Sequence, residues 1–150
     1  MNTKENDQKP PTVDFVIRHT WHKIARMYNQ KAAEHDVTIS IAFITLIIDK
    51  EGTPSTQLGP RLGMEPTSLS RTLKVMEDKG YIYRKMDEVD KRKVLIFLTE
   101  YGVDQRRLAK SVVLDFNEKL LKKIPQGKLN VFFEVMERID KIVSEEMEKR

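Results

Sequence analysis

The sequence predicts a mainly α (α+β) protein: a helix-turn-helix with a two-stranded hairpin, set between long amphipathic helices from the two chain ends. Three observations carry this. Apolar residues recur at three- and four-residue steps over most of the 150 residues. The period becomes strand-like only in Tyr81–Lys85 and Val94–Thr99, which are rich in aromatic and β-branched residues. Gly52, Gly63, Pro66 and Gly80 fall where the helical pattern stops or restarts.

Met1 to Pro11 is polar and is expected to be disordered. A first helix starts at Val13, carries Val16, Ile17, Trp21, Ile24, Met27 and Tyr28, and fades by His35-Asp36. Thr38 is a suitable N-cap for a second helix through Ile41, Phe43, Ile44, Leu46, Ile47 and Ile48. That helix is apolar on most sides and so deeply buried, and Lys50-Glu51-Gly52 is expected to end it with Gly52 left-handed. A short helix over about Ser55 to Leu62 contains Gly59-Pro60, so it is expected to be short or kinked. After a Gly63-Met64 turn, Pro66 opens a helix to Lys79, stopped by Gly80, with Leu69, Leu73 and Met76 inward. The two strands follow, joined by a polar loop, Met86 to Lys93. A long helix then carries Val103 to Ile124, Pro125-Gln126-Gly127 breaks it, and a last helix carries Leu129, Phe132, Phe133, Met136, Ile139, Val143 and Met147.

The domain reading is one domain over 1–150. Residues 37–99 form the winged helix, and residues 12–36 and 100–150 supply helices that a single small subunit cannot cover. Pairing with a second copy would bury them.

Composition removes several classes. With no cysteine there is no disulfide scaffold, thiol nucleophile or Cys-ligated metal. No run approaches the roughly 18 apolar residues of a membrane span, and mean hydropathy is −0.51. The N-terminus has no apolar signal region, so the expected location is the cytoplasm. His19 and His22 stand one helical turn apart, but two histidines do not fill a tetrahedral site, so no metal and no cofactor are expected. Neither a phosphate-cradling glycine loop nor a nucleophile elbow is present, and no enzyme is expected.

The formal net charge is +4, from 27 basic and 23 acidic residues. Residues 55–93 hold nine basic and six acidic side chains, so most of the excess lies in the helix-turn-helix and hairpin. There Thr67, Ser68 and Ser70 stand near a helix N-terminus, where hydroxyls and backbone N–H groups suit phosphate. Arg71 has the reach to bind guanine N7 and O6, and Lys74 lies one turn on. In the hairpin loop Lys91 and Arg92 suit a narrow minor groove, with Asp90 placed to orient Arg92 through an ion pair.

An ordered set of motifs accompanies this chemistry: Thr56-Gln57-Leu58, Leu62 to Leu73 (LGMEPTSLSRTL), Met76 to Ile82 (MEDKGYI), Arg84, Asp90-Lys91-Arg92 and Leu98 to Gly102 (LTEYG). Over these 47 residues, Thr56 to Gly102, the chain resembles the MarR/SlyA family of winged-helix transcriptional regulators. The resemblance implies a homodimer, each subunit placing a recognition helix in a major groove and a wing in a neighbouring minor groove of a pseudo-palindromic double-stranded DNA operator. It also implies a small ligand that binds between the DNA-binding and dimer regions and releases DNA, as in a repressor. Arg18, Trp21, His22 and Arg26 are the candidate ligand residues, fitting an anionic, aromatic or acyl effector. The alternative is a winged helix that binds proteins instead.

Overall fold

The computed structural model describes residues 10–149, so most of the segment expected to be disordered lies outside the described residues. Pro10 and Pro11 are exposed and outside regular structure. The chain divides into two compact units, one up to Ala109 and one from Lys110.

The first unit opens with α1 (Val13–Ala33) and α2 (Ile39–Ile47). Thr38 caps α2 as expected, its hydroxyl accepting from the Ile41 N–H at 3.3 Å. The expected end of α2 needs correction. Gly52, at φ +89°, is not its left-handed cap but closes a turn in which its N–H donates to the Asp49 carbonyl. The helix stops at Ile47 because Ile48 turns extended and drives its side chain into the core. The freed carbonyls find arginines instead. Arg61 donates to the Ile47 oxygen at 3.0 Å and Arg106 to the Ile48 oxygen at 2.8 Å.

β1 (Thr53–Pro54), α3 (Ser55–Leu62), α4 (Pro66–Asp78), β2 (Ile82–Met86) and β3 (Val94–Leu98) follow. The expected two-stranded sheet has three strands, in the order β1-β3-β2, all antiparallel. Two residues around a proline carry no strand period, so β1 is invisible until Thr53 pairs with Ile96 and Pro54 with Leu95. Pro54 is tolerated because β1 is an edge strand. The first expected strand is displaced by one residue, since Tyr81 precedes β2, and the second starts at Val94 as expected but ends one residue early, with Thr99 serving as a helix cap.

The boundaries of α3 and α4 are chemical. Gly63 is left-handed at φ +63°, the Met64 N–H reaches the Gly59 carbonyl at 2.9 Å, and Pro60 sits inside an eight-residue helix. Gly80 repeats the device at φ +77°, with Tyr81 N–H donating to Met76 and Gly80 N–H to Glu77. Both are Schellman ends, which satisfy the last carbonyls of each helix.

These elements close over one core. Ile44, Ile48, Leu58, Met76 and Ile96 are almost wholly inaccessible, and Leu69, Leu73, Ile82 and Tyr81 pack around them. Each such side chain stabilises the fold by about 1.5–3 kcal/mol through removal from water. Burial, and after it the neighbouring Tyr101, pushes the Tyr81 hydroxyl up to about 12. Below pH 10 both folded and unfolded chains keep this proton, and stability is unaffected. Between pH 10 and 12 only the unfolded chain loses it, so stability falls with rising pH. Tyr81→Phe is therefore expected to flatten the urea midpoint over that window relative to the parent; parallel curves would contradict the assignment.

α5 (Glu100–Lys123) begins in the first unit and continues into the second. Thr99 starts it: its hydroxyl accepts from the Gly102 N–H at 3.0 Å and donates to the Gly80 carbonyl at 2.5 Å. The second unit is the rest of α5 and α6 (Gln126–Glu148). The expected three-residue break is shorter. Pro125 caps α6, and Gln126 and Gly127 already lie in its first turn. Among the described residues of α6 none is buried, and Val131, Phe132, Phe133, Ile142 and Val143 are exposed.

Candidate nucleic-acid interface

α4 buries one face and offers another. Leu69, Leu73 and Met76 point into the core. The spacing of 3.6 residues per turn then turns Thr67, Ser68, Ser70, Arg71 and Lys74 to solvent, and all five are exposed. Arg71 makes no ion pair or side-chain hydrogen bond among the described residues. Lys74 pairs loosely with Asp78 at 3.6 Å, a solvated contact worth about 0–1 kcal/mol. Pro66 opens the helix without an N–H to satisfy, so the polar residues begin within its first turn.

The wing is built from its carboxylates. Asp87 Oδ1 accepts from the N–H groups of Val89 at 2.8 Å and Asp90 at 2.9 Å. These two bonds hold the Asp87 carboxyl below its ordinary range, the Asp90 amide first and the Val89 amide next. The expected ion pair between Asp90 and Arg92 does not form. Asp90 Oδ1 instead accepts from the Arg92 backbone N–H at 3.2 Å, and its carbonyl accepts from the Lys93 N–H. Asp90 therefore supports the wing by shaping its backbone. A short aspartate two residues upstream reaches the main chain more readily than a long guanidinium. The Lys91 and Arg92 side chains stay exposed at the loop. Asp87 is not among the residues expected to serve the wing. The Asp-x-x-Asp spacing before a turn was the signal of a backbone clamp.

Other site features emerge only in three dimensions. Arg84 on β2 bonds Glu77 of α4 at 2.5 Å, tying the helix to the wing. Tyr83 and Phe97 stack across β2 and β3 at 5.2 Å. Gly102 is the closest approach in the unit: an added Cβ would stand 2.0 Å from the Tyr81 carbonyl oxygen. The Thr99-x-x-Gly102 spacing carries the cap but not this contact.

Of the candidate ligand residues, the structure brings His22 and Arg26 to one surface depression. Trp21 stacks on Phe43 of α2, with centroids 6.3 Å apart, and Tyr28 meets the same ring edge-on. Arg18, His22 and Arg26 run along a neighbouring exposed stripe of α1. His22 and Arg26 border a shallow surface depression with Asn29 and Gln30, and Trp21 is not part of it. His19 lies against Phe15. No described helix is long and apolar enough to cross a membrane.

Residues 40–94, from α2 to the first residue of β3, match the model of the MarR family. The HTH-type transcriptional regulator TtmR of Methylorubrum extorquens is 32% identical over 89 residues, which cover 59% of this chain. The match spans 46% of that relative's length, so the chain corresponds to less than half of it. Among solved structures, the transcriptional regulator SlyA superposes with a TM-score of 0.79 at 19% identity, covering 91% of this chain and 96% of that one. Staphylococcus aureus MepR in complex with DNA superposes at 0.75, also at 19% identity, covering 91% and 99%. Residues 40–94 thus carry a segment similar to the MarR family, and the chain shares the fold of these solved structures.

Proposed function

We propose that the protein is a cytoplasmic, homodimeric, sequence-specific regulator that binds double-stranded DNA and represses transcription until a small ligand releases it. The observation that carries the reading is the exposed face of α4, where Thr67, Ser68, Ser70, Arg71 and Lys74 stand beside a wing presenting Lys91 and Arg92. Residues 37–99 are the DNA-binding part of a single domain, and 12–36 with 100–150 are its dimerisation helices. Arg71 reads guanine in the major groove and Arg92 enters the minor groove, while the hydroxyls of Thr67, Ser68 and Ser70 fix the backbone. Asp90 keeps the wing loop in shape by holding the Arg92 amide. Two copies read a pseudo-palindrome with half-sites about one helical turn apart.

Selection from random duplex DNA supplies the operator and tests the reading. Arg71→Ala is expected to lose about 1–3 kcal/mol per half-site and to relax preference at one position. Arg92→Ala is expected to weaken binding at flanking A·T-rich positions and to leave the central preference intact. Unchanged operator affinity for Arg71→Ala would sink the placement of the recognition helix.

The effector of this reading is a small anionic, aromatic or acyl molecule attracted by Arg18, His22 and Arg26, with Trp21 as the apolar wall. Its support is the cationic stripe of α1 next to a half-exposed indole. Trp21 is the single tryptophan, so its fluorescence is expected to change with any carboxylate that releases DNA. A releasing ligand that leaves the emission untouched places the pocket elsewhere.

A further inference from the structure

Arg84 belongs to the motif pattern, yet no DNA contact described above uses it. It lines a groove of about 590 Å³ between α3, α4 and β2, where it is the single basic and Glu65 the single acidic lining residue among those described. Ser55, Thr56 and Ser70 line the same groove. Ser70 is also part of the exposed polar face of α4, so the groove opens beside the surface that meets DNA.

The pairing of Arg84 is incomplete. Its Nε donates to Glu77 Oε2 at 2.5 Å, whereas a fork-to-fork pair would use two parallel bonds. The terminal guanidinium nitrogens have no partner among the described residues. Both side chains remain about two-fifths exposed, at 39% and 45%. A guanidinium held by one nitrogen, with its remaining donors at a groove bearing hydroxyls, is arranged for a tetrahedral oxyanion.

We infer that Arg84 contacts a backbone phosphate of the bound duplex at this groove, and that Glu77 is a positioning residue that sets the guanidinium by its Nε. The inference rests on the DNA-binding reading. It adds a phosphate contact from β2 to those of α4, and it anchors the wing strand and the recognition helix to the same stretch of backbone.

The test is operator binding by the full chain over a range of salt concentrations, with the folding of each variant checked by thermal unfolding. Arg84→Gln is expected to bind about tenfold more weakly per half-site, and its log–log salt slope to flatten by about 0.9 per half-site, the loss of one phosphate contact. Arg84→Lys keeps the charge and the parental slope. A scan of operators carrying single neutral methylphosphonates is expected to show one position per half-site that weakens the parent and leaves Arg84→Gln unaffected. That result separates a DNA phosphate from a free phosphate ion. Glu77→Gln is expected to alter parental affinity but to have no further effect in the Arg84→Gln background.

A folded Arg84→Gln protein with the parental slope, or a methylphosphonate scan identical to the parent's, overturns the inference. If Arg84→Gln does not fold, the scan of Glu77→Gln decides. A smaller loss than the parent's at that one position supports the inference, and an identical profile overturns it. A parent protein with no salt-dependent duplex binding would overturn the DNA-binding reading itself, and this one with it.

Discussion

Gly102→Ala is expected to lower the stability of the first unit by about 1–3 kcal/mol or more, seen as a fall in the urea midpoint. The new Cβ would sit 2.0 Å from the Tyr81 carbonyl oxygen and 3.1 Å from Leu98 Cδ2. The carbonyl has little freedom to retreat, because the Thr99 N–H donates to it at 3.1 Å and Tyr81 is buried in the core. The start of α5 would have to move instead, and Thr99 would lose its bonds to Gly80 or Gly102. Arg106, one helical turn further, would drag on the Ile48 carbonyl that it caps. DNA affinity is expected to fall with stability, since β2 carries the wing away from the same Tyr81. Gly127→Ala is the control. It lies in the first turn of α6 with nothing within 4 Å of its added Cβ, and is expected to be neutral or stabilising by up to about 1 kcal/mol. Equal midpoints for the two variants would contradict the close approach at Gly102.

Phe132→Asp is expected to dissociate the proposed homodimer. Val131, Phe132, Phe133, Val135, Ile142 and Val143 expose a large apolar surface on a helix with no buried residue. Water does not tolerate such a face cheaply, and a second copy offers a matching one. A carboxylate in that interface would be desolvated without a partner, at a cost of several kcal/mol if it stays ionised. Sedimentation equilibrium should give the parent near twice 17.6 kDa and the variant near that mass. Operator affinity should fall further than the loss of one base contact, because two linked half-sites become independent. A parent that sediments as a monomer at micromolar concentration would sink the dimer.

Local chemistry accounts for how much of this protein was legible before any coordinates. Thr38, Pro66, Gly63 and Gly80 mark helix ends because capping and left-handed turns are decided within a few residues. The inward stripe Leu69, Leu73 and Met76 follows from helical periodicity, and the polar face opposite follows with it. The helix order, the wing and the outward Arg71 are therefore readable from residue spacing alone, and the motif pattern from Thr56 to Gly102 carries the resemblance to the family whose model residues 40–94 match.

Tertiary structure decided whatever depended on partners distant in the chain. β1 exists because Thr53 and Pro54 find β3 more than forty positions away; two residues have no period of their own. α2 ends at Ile47, and Gly52 serves a turn, because Ile48 is worth more in the core and Arg61 and Arg106 take over the freed carbonyls. Asp90 holds a backbone amide rather than the Arg92 guanidinium, and Arg84 faces Glu77 across the α4–β2 junction. The Gly102 requirement arises only where α5 crosses the Tyr81 carbonyl. Sequence spacing determines which residues share a helix face, because that geometry is local. Which carbonyl, carboxylate or ring stands opposite is set by the packing of elements that the chain itself keeps far apart.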